Sequence, residues 1–427
     1  MLRGRATGTN SICRSFDSEQ RTGRINPVST GMVNEAQKTL TRRKMLKTSV
    51  VAGGAILVGF HDMRLPAFFE TPINDVFQGG RYLGLIEFVG EAPIPTDTTM
   101  GTGLDGRLYT DLSGVGPDKS TIPNDKFYVR TRASELLEAR KPWLINVSGL
   151  VKRPHKVSLE EVKKMSRPTG SHLLECSGNV RDAHFGMLSV ADWTGAPVSE
   201  VLDSLQIQKA ASHALISGFD HYPESSSTSV EGASWIFPVD ELKSSNAFFA
   251  TTMNGSSLPR DHGAPIRLVV PGWYGCTCIK WVDEIQLLGE EVPTTSQMRE
   301  FASRTMQEGV PEWVRDYRSP VIEQAAMPIR VEKWLVDGKI TYRVRGIVWG
   351  GTRPVRGLEI RFNSEEDYVP VADFKQPVND PWSFWTHPWT PTKPGVFFIR
   401  LRLRDKAIRS RRLDAGYYTR SVEVSEV

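Results

Sequence analysis

From about residue 328 onward, apolar and polar side chains alternate: Ile329-Arg-Val-Glu332, Ile340-Thr-Tyr-Arg-Val-Arg345 and Phe397-Phe-Ile-Arg-Leu-Arg-Leu-Arg404. A period of two puts every second side chain on one face, so these runs predict half-buried strands. Asp337-Gly338 between the first two runs is a hairpin signal. Residues 328–427 are the right length for an immunoglobulin-like β-sandwich.

The texture differs upstream. Between 126 and 290, short apolar runs mix with helix-like stretches. Phe127-Tyr-Val-Arg130 and Leu144-Ile-Asn-Val147 predict strands, and Ile266-Arg-Leu-Val-Val270 predicts a buried strand ended by Pro271-Gly272. Ser158-Leu-Glu-Glu-Val-Lys-Lys-Met165 opens on an N-cap serine with glutamate three residues on, and Ala196–Asp203 is a second short helix candidate. Strands and helices without a regular βα repeat predict an α+β domain. Residues 66–125, rich in Pro, Gly, Thr and Asp, predict a surface wrap on that domain, so that its bounds are 66–292. Residues 293–327 predict a linker to the sandwich.

Charge adds a targeting signal. The chain's net charge is +4, yet residues 1–47 hold ten Lys/Arg against three Asp/Glu, which leaves the remainder slightly acidic. A nucleic-acid footprint therefore has no support. Thr41-Arg42-Arg43-Lys44-Met45-Leu46 runs into an apolar stretch, Val50 to Phe60, too short to span a bilayer as a helix. Residues 1–65 thus predict a twin-arginine export signal and N-terminal extension, and a periplasmic location. Four unevenly spaced cysteines exclude a disulfide framework.

Two stretches carry candidate chemistry. In His172-Leu-Leu-Glu-Cys176-Ser-Gly-Asn-Val-Arg181 an apolar strand delivers a cysteine to a turn, with an arginine able to favour its thiolate. The same residues fit a small buried structural cysteine. Pro259-Arg-Asp-His262-Gly-Ala-Pro-Ile-Arg267, followed by Pro271-Gly-Trp-Tyr-Gly-Cys-Thr-Cys278-Ile-Lys280, strings an imidazole, a guanidinium and an ammonium along a strand and loop. That is a cradle for a phosphate, or a run of surface charges. No nucleotide fingerprint and no zinc-ligand spacing is present.

Three stretches, in order, resemble the sulfite oxidase family of molybdopterin oxidoreductases. Phe127-Tyr-Val-Arg130 is similar to its Phe-Val-Arg-Asn-His, Cys176-Ser-Gly-Asn-Val-Arg181 to its Cys-Ala-Gly-Asn-Arg-Arg, and Met253–Arg267 to its Met-Asn-Gly-x-x-Leu-Pro-x-Asp-His-Gly-x-Pro-x-Arg. The resemblance implies a molybdopterin-binding domain followed by a dimerising sandwich, with Cys176 as the protein ligand to molybdenum. It implies that Tyr128, Val129, Arg130, Thr131, Arg132, Asp220, His262, Arg267, Cys278, Ile279 and Lys280 bind the pterin and its phosphate, and that Arg130 and Arg181 face the metal. Thr131-Arg132 departs from the family's Asn-His, Glu231 stands where an active-site tyrosine is expected, and Ser383 where a substrate-binding arginine is. These departures point away from free sulfite and toward a carrier-bound sulfane sulfur or an unassigned substrate, with Glu231, the catalytic candidate, either repelling sulfite as a carboxylate or acting as a proton carrier.

No haem-attachment motif occurs, so electrons are expected to pass to a separate c-type cytochrome. Arg400, Arg402, Arg404, Lys406, Arg409, Arg411 and Arg412 form either a basic docking edge or a solvated strand face. Two rivals stay open: a cofactor-free exported binding module, and a hydrolase using Cys176 with His172 or His184.

Overall fold

Backbone pairing divides the strands into four five-stranded sheets, two built largely from residues 144–288 and two largely from 325–424. The computed structural model describes residues 76–91, 98–99, 103–220, 232–374 and 381–427. All of them fall within one compact unit, Thr71–Val427. The twin-arginine stretch and Glu231 lie outside the described residues.

The first sheet runs Arg167–Glu175, Leu188–Pro197, Phe248–Met253, Ser256–Ser257, with Arg267–Val269 also paired to Phe248–Met253. It holds Arg267 on one strand and delivers Cys176 just past the end of another. The second sheet runs His155–Ser158, Leu144–Gly149, Val282–Leu288, His213–Gly218, Ser234–Pro238, and is mixed because Val282–Leu288 lies parallel to Leu144–Gly149. Short helices connect them. Leu159–Met165 starts on the expected capping box, in which Ser158 and Glu161 satisfy each other's backbone N–H. Val198–Ser204 buries Val198, Val201 and Leu202 on one face.

The other two sheets pack on each other through aromatic rings. Trp389 stacks on Phe362 at 4.2 Å and meets Phe397 edge-on at 4.8 Å. One sheet pairs Ala325–Val336 with Lys339–Trp349 across the Asp337-Gly338 turn, then Trp382–Trp389. The other centres on Gly395–Leu403 between Leu358–Arg361 and Arg420–Val424.

Three expectations change. Phe127–Arg130 forms no strand: Val129 alone bridges to Leu108, while the Tyr128 N–H turns to Ser189 Oγ at 3.2 Å. Phe127, Tyr128 and Val129 are all buried, so the stretch lacks the alternation of a strand. Arg81–Ile86 and Phe88–Val89, from the segment expected to wrap the cofactor domain, instead pair with Ala325–Val336 and Arg420–Val424. Residues 293–327 also carry structure, including the helix Ser296–Phe301, which folds back onto the site.

Candidate active site

The strand Arg167–Glu175 ends at Cys176, in a turn that its neighbours fix. The Cys176 N–H donates to Met187 O (3.0 Å), and the Asn179 N–H donates back to Cys176 O (2.9 Å). Asn179 Oδ1 accepts from the Met187 N–H at 3.1 Å, so its side chain ties down the following loop. The Gly178 N–H points at the sulfur, 3.4 Å from Sγ. Burial raises the Cys176 thiol pKa, while the Gly178 amide and the Arg130 and Arg304 guanidinium groups pull it back. Arg304 was not foreseen as the second arginine. Arg181, which was expected there, opens an exposed turn (Arg181–Ala183) and does not line the cavity.

The thiol opens into a cavity of about 890 Å³, its mouth included. Tyr128, Val129, Arg130, Thr131, Asp220, His262, Arg267, Cys278, Ile279 and Lys280 all line it together with Cys176. Arg132 does not; its side chain covers Gly106 instead. Elsewhere in the lining, Arg267 donates to His262 O (3.0 Å) and Cys278 O (3.1 Å). Its Nε is buried with no hydrogen-bond partner among the described residues. Lys280 donates to Thr131 O and, at 2.9 Å, to Asp261 O. Burial and the Arg267 charge pull the Lys280 pKa well below the lysine range, against Asp220 and Asp261. His262 Nε2 sits 2.7 Å from Asn124 O, and burial lowers its pKa to about 4. The imidazole is therefore neutral near pH 7 and donates to that carbonyl. Gly263 permits this crowding: at its φ of +109°, a Cβ would stand 2.9 Å from Arg267 Cβ and 3.1 Å from Lys280 Cβ.

The buried Arg267 and the half-buried Lys280, whose hold on its proton the Arg267 charge weakens, call for an anion beside them, and a phosphate with several acceptor oxygens meets that need. The unbonded Nε of Arg267 offers it a further donor. No group of three or more His, Cys, Asp or Glu placed to hold a metal ion occurs among the described residues. A metal at Cys176 would thus bring further ligands with it. A pterin with its own dithiolene sulfurs and a terminal phosphate fits the chemistry of this lining, a thiol together with an arginine and a lysine.

Several lining residues carried no signal in the sequence. Gln297, Glu300 and Phe301 come from the expected linker. Arg412, read as part of a surface edge, turns inward: its Nη2 donates to Ser177 O and Arg304 O, both at 3.0 Å. Arg402 pairs with Glu359 at 2.5 Å, so the arginine run is not one free edge. His172 bonds Thr169 O and His184 lies 3.2 Å from Glu91; neither lines the cavity, so neither serves Cys176 as a base.

Residues 133–296 match the family described as "Oxidoreductase molybdopterin binding domain". The match is to a molybdopterin-binding domain of the oxidoreductase class over those residues. The chain is 22% identical to a sulfite oxidase of Arabidopsis thaliana over 60% of its length and 70% of that protein's. It is 25% identical to a sulfite oxidase of Gallus gallus over 69% and 67%, and 26% identical to a nitrate reductase of Beauveria bassiana over 56% of its own length. It spans only 29% of that nitrate reductase. In fold it is similar to the sulfane dehydrogenase SoxCD from Paracoccus pantotrophus, with a TM-score of 0.56 and 18% identity, covering 86% of this chain and 96% of that one. Over residues 133–296 the chain thus resembles the molybdopterin-binding oxidoreductases, with sulfite oxidases and nitrate reductases among its similar relatives.

Proposed function

We propose that the chain is an exported molybdenum oxidoreductase that oxidises a sulfur compound and passes the electrons to a separate cytochrome. The observation that carries the reading is the shared cavity, which the buried Cys176 thiol, the buried Arg267 and the half-buried Lys280 line together. Cys176 would be the protein's ligand to molybdenum, a soft thiolate matched to a thiophilic metal. Arg267, Lys280 and the His262 loop would hold the phosphate, and Tyr128 to Thr131, Asp220 and Cys278 to Lys280 the pterin. When bound, the cofactor supplies oxygen-atom transfer and stores the electrons.

The chain's own residues do the remaining work. Gly178 N–H, Arg130 and Arg304 stabilise the thiolate form of Cys176. Asp261 Oδ1 accepts from the Ala133 N–H at 2.7 Å and so fixes the stretch that follows Arg130. Tyr128 packs flat on Phe127 at 5.4 Å, with Gly275 leaving room for its hydroxyl, which keeps water from the middle of the cavity. Export rests on the paired arginines at 42 and 43. The two aromatic-packed sheets are the proposed immunoglobulin-like domain, through which the chain would dimerise. Within the family we favour the sulfane-oxidising type over free-sulfite oxidation. Ser383 and Glu231 replace, respectively, an anion-binding and a neutral residue expected by resemblance, and the fold is similar to a sulfane dehydrogenase.

Stopped-flow mixing of the oxidised protein with sulfite, thiosulfate, a protein-bound persulfide and organic S-oxides tests this. Rapid reduction of the metal by the persulfide, at least tenfold faster than by sulfite, is expected. Faster reduction by sulfite would overturn the preference, and no reduction by any sulfur compound would overturn the function.

A further inference from the structure

The helix Ser296–Phe301 is held firmly for so short an element. Thr295 caps it by accepting from the Met298 N–H at 3.2 Å. Gln297 is clamped on both sides: Oε1 accepts from the Ser234 N–H at 2.8 Å, and Nε2 donates to Cys276 O at 2.7 Å. Tyr317 Oη donates to Met298 O at 2.9 Å. This bracing sets Glu300 in the wall of the cavity that Cys176 opens into. Its Oε2 is buried and has no hydrogen-bond partner among the described residues. The other carboxylates in the wall are engaged elsewhere: Asp261 accepts from the Ala133 N–H, and Asp220 acts on Lys280.

We propose that Glu300 is a specificity-determining residue, selecting a sulfur substrate that bears at most one negative charge or presents a proton donor, and rejecting dianionic oxyanions. The inference rests on the proposed function and names the substrate class of that same site. Its basis is the charge around the thiol. Arg130 faces Cys176, but its Nη1 lies 3.7 Å from Asp105, and Glu300 acts on it as well. Asp105, which also lies 4.0 Å from Arg107, and Glu300 therefore offset part of the positive charge that would greet an oxyanion at Arg130. A buried carboxylate oxygen without a donor is costly to leave so, and a substrate O–H, N–H or S–H satisfies it. A fully deprotonated oxyanion meets it as a like charge in a medium of low dielectric, where repulsion is strong.

The test uses unreactive probes, so that binding is read without turnover. Sulfate, a dianion, and methanesulfonate, a monoanion, are titrated calorimetrically into the metal-loaded protein and into its Glu300→Gln and Glu300→Ala variants. Removing the charge should tighten sulfate binding about tenfold in both variants, less so at high salt, and tighten methanesulfonate binding only about threefold, since the monoanion feels half the repulsion. Unchanged or weaker sulfate binding, or an equal gain for both probes, overturns the proposal. Molybdenum is assayed in the same samples, so its absence counts against the proposed function and an unmoved sulfate affinity in loaded protein against Glu300.

Discussion

At the scale of single residues, the cavity is set by which side chains lost water on folding. His262 shows this through its protonation. It is 4% exposed, and burial lowers its pKa from 6.5 to about 4, with Lys280 and Arg267 pushing the same way. Near pH 7 it is neutral in both folded and unfolded chains. As the pH falls through 6.5, the unfolded chain takes up a proton that the folded chain refuses, so stability is lost down to about 4. The gap corresponds to about 3 kcal/mol. His387 is lowered to the same value by burial and adds its own slope in the same window. Replacing His262 with Gln should therefore remove about 3 kcal/mol of the acid-side loss, measured by urea unfolding between pH 6.5 and 4, and leave the His387 part. An unchanged slope would mean that His262 is not desolvated.

At the scale of elements, the loop after Arg167–Glu175 is shaped from outside the cofactor-binding sheets. Trp349, at the end of Lys339–Trp349, donates from Nε1 to the fully buried Glu175 Oε2 at 2.8 Å. Arg412 crosses to Ser177 O, and Tyr417 Oη donates to Asn179 O at 2.6 Å. A Trp349→Phe variant keeps much of the ring packing but strips Glu175 of that donor, a loss of about 2 kcal/mol. Urea unfolding should show it, together with weaker metal retention through the displaced Cys176 turn; parent-like stability and metal content would contradict the coupling.

These elements also mark what was legible in the sequence. The Cys176 turn, the His262–Arg267 run and Lys280 were readable because each is a local motif whose glycines and polar residues act within a few positions. The capping box at Ser158 and the Asp337-Gly338 turn were readable for the same reason. Gln297, Glu300 and Arg304 were not, since a six-residue helix has too few turns for a periodic signature and reaches the cavity only by long-range packing. Arg412 was misread because it follows a strand whose arginines do face outward. The turn at Arg411–Asp414, capped by Ser410, swings it inward.

At the scale of the whole molecule, the sheets of the C-terminal region are built into the site rather than appended to it. Arg420 and Glu91, with side chains 4% and 0% exposed, pair at 2.5 Å, and Glu91 also lies 3.2 Å from His184, the residue that ends the turn Arg181–Ala183. Trp382 Nε1 donates to Ser120 O at 3.1 Å, and Arg330 to Ser113 O at 2.9 Å. Strands from residues 81–89 close the edges of both C-terminal sheets, so both ends of the described chain meet there. Trp349, Arg412 and Tyr417 carry that connection to the turn that places one thiol, through Glu175, Ser177 and Asn179. X-ray absorption at the molybdenum edge, on the purified protein and its Cys176→Ser variant, tests that placement most directly. Molybdenum should be present in the parent with thiolate coordination, and the variant should lose one sulfur neighbour or the metal itself. Identical sulfur coordination in the two proteins, or no molybdenum in the parent, would contradict Cys176 as the ligand.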